Sequence, residues 1–157
     1  MLKRDYEGQN CSIARALELV GERWTLLIVR DAFHGLKRFD QFQDSLGIAS
    51  NVLTSRLDRL VDAGVFERIR YQERPDRYEY ILTERGRALR TPLLALMQWG
   101  DGIGGKPPRL ARRKGDGAPV VAALVGADGK QVDPGEIEVV PGPGATRRGR
   151  QRVSPAR

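Results

Sequence analysis

Between residues 50 and 82 an amphipathic helix pattern, a glycine stop and two short strand patterns around an arginine-bearing turn follow one another without a spare residue. In SNVLTSRLDRLVDAG, Leu53, Leu57, Leu60 and Val61 recur at i, i+4, i+7 and i+8, a single apolar stripe on a helical period. Ser50 suits the N-cap and Gly64 the position just past the C-terminus. Advancing by about 100° per residue from Leu53 places Asn51, Ser55, Asp58, Arg59 and Asp62 opposite the stripe, with Thr54 and Arg56 on its flanks. The first turns of that face carry the short polar side chains that fit base edges in a major groove. A solvated helix surface looks the same, so the flanking segments decide.

Upstream, Phe39, Phe42 and Leu46 form a short helical stripe, Gly47 ends it, and Ile48 and Ala49 turn tightly into Ser50. Downstream, VFERIRYQERPDRYEYILT reads as a hairpin, with Tyr78, Tyr80 and Leu82 alternating onto one face and Pro75-Asp76 at the turn. Arg74 and Arg77 flank that tip, where they can reach phosphate or a minor groove. Helix, turn, helix and hairpin in that order predict a winged helix-turn-helix: a mainly α fold with a small β-wing, α+β in class.

Ahead of this unit, Ser12 is expected to cap a helix striped by Ile13, Ala16, Leu17 and Val20 and stopped by Gly21. A second helix, Glu22 to about Phe33, is apolar nearly all round and is expected at the core. After the hairpin, Thr83 is expected to cap a long helix bearing Leu89, Leu93, Leu96 and Met97, kinked at Pro92. These outer stripes exceed what one small domain covers, so a homodimer is expected.

Dispersed motifs sharpen the reading: CSIARAL from Cys11, GERWTLLI from Gly21, Arg38-Phe39, LTSRL from Leu53 to Leu57, RYEYILTERG from Arg77 to Gly86, and QWG ending at Gly100. Together, over roughly residues 10 to 100, they resemble the HxlR-type winged-helix transcriptional regulators of bacteria and archaea. The resemblance implies a dimer through the first and last helices, and a cysteine at the Cys11 position that senses oxidants or electrophiles in several members. Longer members end in a small cysteine-bearing module, which the family pattern makes zinc-stabilised, followed by Pro-Gly-Pro-Gly. This chain keeps PGPG at Pro141 to Gly144 but has no cysteine there, so no metal and no cofactor are expected.

Composition divides the chain. The 157 residues carry a formal net charge of +7, yet residues 1 to 104 hold 16 Lys and Arg against 15 Asp and Glu. The excess lies beyond, where residues 105 to 157 also hold nine Gly and seven Pro. The expected division is a winged-helix and dimerisation domain over 1–104, a small β-rich or irregular extension over 105–145, and a basic disordered arm over 146–157. Within the extension, PVVAALV and EIEVV flank a Gly-Ala-Asp-Gly-Lys turn and could pair as a hairpin. No apolar run of about 18 residues and no basic-then-apolar leader is present, which points away from membranes and towards the cytoplasm.

The favoured function is a dimeric, sequence-specific DNA-binding regulator of transcription acting on double-stranded DNA with an inverted-repeat operator. Asn51, Thr54, Ser55 and Arg56 read or flank base edges, Arg38 and Ser50 hold phosphates, and Arg74 and Arg77 serve the wing. Cys11, ahead of a helix N-terminus, is the candidate for redox sensing, against a plain packing role; a small molecule or oxidant is the expected effector. His34 reads as a turn residue, and Trp24 and Trp99 as packing anchors. The alternative is a winged-helix module that binds protein without specific DNA binding. No nucleophile-base pair or phosphate-cradling glycine loop argues for an enzyme.

Overall fold

A computed structural model describes residue 6 and residues 9–145; the basic arm read over 146–157 lies outside the described residues. Helix α1 spans Ser12–Val20, α2 Thr25–Phe33, α3 Phe39–Leu46 and α4 Ser50–Asp62. Strands β1 (Phe66–Glu73) and β2 (Asp76–Leu82) form the wing, followed by α5 (Glu84–Arg87) and α6 (Arg90–Asp101). The extension holds two-residue strands β3 (Leu124–Val125) and β4 (Gln131–Val132) and one 3-10 turn, Pro134–Glu136. No helix among the described residues is long and apolar enough to cross a membrane. The architecture is the expected one, α+β with a winged helix-turn-helix. In the extension a short hairpin forms, but not the expected one: Leu124–Val125 at the end of PVVAALV pairs with Gln131–Val132 directly after the turn, and EIEVV, which starts on the last residue of the 3-10 turn, forms no strand.

The core lies where the stripes of α2, α3 and α4 meet one face of the wing. Ile28, Val29, Phe42, Leu53, Leu57, Leu60, Val65 and Phe66 are buried. Phe66 joins the layers, its ring 6.3 Å from Phe42 and edge-on to Tyr80 at 6.4 Å. Each such side chain contributes roughly 1.5–3 kcal/mol on burial, so the reading unit closes over its own core.

Helix ends depart from the sequence reading in instructive ways. Ser12 and Ser50 are not caps. Extended Cys11 and Ala49 occupy those N-cap positions, neither side chain making an aligned capping hydrogen bond, although the Cys11 thiol lies close enough to the first-turn N–H groups to feel their charge. The hydroxyls are used elsewhere: Ser12 Oγ accepts from Arg15, and Ser50 Oγ accepts from Gln43 Nε2 at 2.7 Å, tying α4 to α3. Helix α2 starts three residues later than expected because Trp24 takes a left-handed backbone, φ 79°, which costs a bulky residue about 1–3 kcal/mol. Gly64 does end α4 as expected: Val65 N–H donates to Leu60 O and Gly64 N–H to Val61 O, the paired bonds of a Schellman motif.

After the wing, Thr83 caps as expected, its Oγ1 accepting from Gly86 N–H. The long helix does not follow. The chain breaks at Ala88 and Leu89 and restarts as α6, with Pro92 in the new first turn. There the missing N–H has no intrahelical acceptor to lose, so Pro92 begins a helix instead of kinking one.

Candidate DNA-reading face

The two helices of the reader are set by the turn between them. Gly47 adopts φ 60°, the left-handed backbone that glycine takes without a Cβ clash, and Ile48 buries itself beside it. Helix α4 therefore leaves the turn with Leu53, Leu57 and Leu60 inward and Ser50, Asn51, Thr54 and Ser55 exposed. Its first two turns outside are short, polar and uncharged. Thr54 Oγ1 donates to Ser50 O at 2.8 Å, which fixes its hydroxyl and turns the side chain into a defined surface. Asp58 comes next and pairs with Arg68 of β1 at 3.9 Å, joining helix and wing.

Arg56 stands apart from its neighbours. It is partly buried, with Nη1 2.6 Å from Glu22 Oε2 and Nε donating to Arg23 O at 3.1 Å. The Glu22 oxygen is buried and meets Arg56 as an ion pair, off the axis of an aligned hydrogen bond. The other Glu22 oxygen binds Arg59, whose second nitrogen donates to Glu18 O of α1 at 3.0 Å. Glu22 thus binds the α1–α2 loop to the flank of α4, beside the strained Trp24. Sequence reading missed this hub because its partners lie more than 30 residues apart.

Arg38 and the wing form a second group. Lys37 O accepts from Tyr80 N–H at 2.7 Å, and Arg38 bridges Glu79, so the segment before α3 adds to the edge of β2. The Arg38 guanidinium lies 4.5 Å from the Tyr71 ring and 3.3 Å from Glu79 Oε1. With Arg77, Tyr78 and Asp76 it borders a groove of about 430 Å³ between the α3 start and the hairpin. Arg74 sits outside that groove at the hairpin tip; Arg74 and Arg77 are exposed and without ion-pair partners among the described residues.

Cys11 is exposed and free. Backbone N–H groups of Ala14 and Ile13, in the first turn of α1, hold its thiol below the ordinary value. Nearby, Asn10 Nδ2 donates to Gly144 O at 2.7 Å, so the PGPG segment returns to the start of α1. The extension is also docked on α6, where Gln98 accepts from Ala122 N–H and donates to Val120 O. His34 is the C-cap of α2, a turn residue as read. Trp24 packs against the core, but Trp99 is 69% exposed and anchors nothing within one chain. No group of three His, Cys, Asp or Glu among the described residues could hold a metal.

Known proteins share this arrangement. An uncharacterized helix-turn-helix-type transcriptional regulator of Mycobacterium tuberculosis is 54% identical over 100 residues, 64% of this chain and 62% of the relative, so the match spans less than two thirds of that protein. A solved structure of an inferred transcription factor of Pseudomonas aeruginosa, PA1374, is 43% identical, covering 90% of this chain and 99% of that one, with a TM-score of 0.67. PA1607, also described as an inferred transcription factor, is 38% identical, covers 84% and 95%, and has a TM-score of 0.73. The redox regulator HypR in its reduced form is 30% identical, covering 59% and 92%, with a TM-score of 0.55. Coverage of 84–90% reaches well into the extension, whereas the HypR match stops at about the length of the winged-helix unit. The profile of the HxlR-like helix-turn-helix family matches residues 19–106, more than half of the sequence, and the chain belongs to that family.

Proposed function

We propose that this protein is a homodimeric, sequence-specific DNA-binding regulator of transcription. The observation that carries the reading is the start of α4. Exposed, uncharged Asn51, Thr54 and Ser55 stand on a helix whose inner stripe is locked in the core, while Arg38 and Arg77 border a groove between the α3 start and the hairpin. Asn51 is the residue fitted to bidentate contact with adenine, and Thr54 and Ser55 to single hydrogen bonds or a thymine methyl. Arg38, Ser50, Arg74 and Arg77 serve phosphates. Arg56 leaves the base-reading set, because contact with DNA would break its bonds to Glu22 and Arg23 O.

Dimerisation rests on exposed apolar side chains at both ends of the winged-helix unit: Ile13 is 70% and Trp99 69% exposed. A two-fold dimer sets its two readers about one helical turn of DNA apart, roughly 34–36 Å, and calls for an inverted repeat. Cys11 is the candidate for an oxidant or electrophile response, supported by its exposure, its lowered pKa and the likeness to the redox regulator HypR. The winged-helix and dimer unit over 1–104 and the extension over 105–145 act as parts of one cytoplasmic regulator.

The test is a mobility shift at moderate salt with duplex from upstream of the protein's own gene and a scrambled duplex. A shift confined to the first, lost in Asn51→Ala, is expected. Equal retention of both, or of neither, counts against specific reading and favours a protein-binding role.

A further inference from the structure

On the side of the reader facing α6, the end of α2 and strand β2 leave an open groove of about 270 Å³. Its walls are apolar: Phe33 and Leu36 on one side, Ile81 and Leu82 on the other. Its rim is cationic, with Lys37, Arg87 and Arg90 converging on it. No carboxylate among the described residues pairs with any of the three. This contrasts with Arg56 and Arg59, which share Glu22, and with Arg70, which has Glu73 and Asp76. The Arg90 guanidinium lies 4.3 Å from the Phe33 ring, and Arg87 is held by Leu82 O at 2.7 Å. Both cations are thereby fixed at the mouth of an apolar slot.

We propose that this groove binds a small aromatic monocarboxylate, its ring between Phe33, Leu36 and Leu82 and its carboxylate on Arg87, Arg90 and Lys37. The size, just below the range of drug-sized pockets, suits a single ring. Planar guanidinium groups pair with carboxylate by two parallel hydrogen bonds, which favours this anion over a spherical one. An apolar wall lowers the local dielectric and strengthens those bonds.

The position gives such a ligand leverage. Lys37 O holds the wing through Tyr80 N–H, Arg38 next to it opens α3, and Arg90 begins α6, the helix assigned above to the dimer. A ligand bridging β2, the α2–α3 link and α6 therefore ties the angle of the wing to the dimer helix. It changes DNA affinity only by as much as it binds the two arrangements differently. This regulatory part rests on the DNA-binding reading; the binding site itself does not.

Two separate measurements keep them apart. In calorimetry on the full chain without DNA, benzoate should bind, neutral benzamide should bind at least tenfold more weakly, and inorganic phosphate should not compete. Arg87→Gln and Arg90→Gln should each weaken benzoate about tenfold, while Arg85→Gln, on the same short helix but outside the groove lining, should leave it unchanged. Equal binding of benzamide, competition by phosphate, indifference to both groove substitutions, or no benzoate binding at millimolar concentration because a second copy fills the slot would each overturn the site. In the mobility shift, benzoate should change wild-type affinity and leave that of Arg90→Gln unaltered. An equal effect on both would overturn the regulatory role and leave the calorimetric result standing, whereas failure of all DNA binding would overturn the regulator reading alone.

Discussion

The reader and its periphery solve the burial problem differently. From Thr25 to Leu82 nearly every apolar stripe finds a partner within the chain, and seven side chains are almost wholly excluded from water. In α1 only Ala14 is buried, in α6 nothing is, and the extension leaves Val121, Val125 and Val139 exposed. One region carries its own stability. The other presents apolar surface that becomes useful only against something else, and a second copy is the simplest such surface. The same chain thus combines a reading head closed over its own core with a margin that leaves apolar side chains in water.

The sharpest way to break this contrast is to empty the reader's core. Leu57 is wholly buried, and Leu57→Ala should cost about 2–5 kcal/mol from lost burial and the cavity left behind. Denaturant unfolding measures it. A loss under 1 kcal/mol would mean that α4 is not held by this core. Trp99→Glu, by contrast, should leave secondary structure intact and shift sedimentation from dimer to monomer, since a central aromatic anchor contributes about 2–4 kcal/mol to an interface. A variant that stays dimeric would place the interface elsewhere.

At the reading face the expected effects are smaller and chemically specific. Asn51→Ala should weaken binding to the cognate duplex by about 2 kcal/mol with unchanged thermal stability. Arg74→Ala or Arg77→Ala should weaken all duplexes alike and lower the salt slope by about one unit per lost phosphate contact. A loss restricted to the cognate site would move the wing arginine into the base-reading set.

How much of this was legible in sequence follows from the range of the forces involved. The stripe of α4, the stop at Gly64 and the alternation of Tyr78, Tyr80 and Leu82 are local, and each was readable because burial follows a short period. Helix starts were less so. Ser12 and Ser50 have the composition of caps, but their hydroxyls are claimed by Arg15 and Gln43. Pro92 reads as a breaker until the break at Ala88 is known, after which it is an ordinary first-turn residue. The Glu22 hub had no local signal at all. That is why Arg56, polar and well placed on the helical wheel, looked like a reader of bases while the fold spends it on holding α4 to the α1–α2 loop. Gly86 shows the opposite case: the TERG motif is visible in sequence, but its reason is three-dimensional, because a Cβ there would meet Val65 O at 2.2 Å.

Along the margin, Gln98→Ala removes two hydrogen bonds between α6 and the extension, together about 1–2 kcal/mol. Amide exchange at Ala122 should accelerate about tenfold while α4 amides keep their protection. Unchanged exchange would show that the extension is held by other contacts, such as that between Asn10 and Gly144.

The smallest effect concerns Cys11, where the helix start stabilises the thiolate over the thiol. Because Ala14 and Ile13 N–H groups lower its pKa in the folded chain, the folded state gives up the thiol proton at lower pH than the unfolded one. Thiolate formation thus favours folding above the ordinary thiol pKa, and that contribution is lost as pH falls through the folded value. Its energy at so exposed a site is slight, but its kinetic signature is not. Alkylation by neutral iodoacetamide should reach half its maximal rate at a lower pH in the folded protein than in denaturant. Ala14→Pro removes the N–H that contributes most, at the same first-turn position that Pro92 occupies in α6, and should move the midpoint back towards that of the unfolded chain. Coincident midpoints for wild-type, variant and unfolded protein would deny Cys11 any activation by α1, and an oxidant response would then have to arise from the second copy's proximity instead of from the thiol's own acidity.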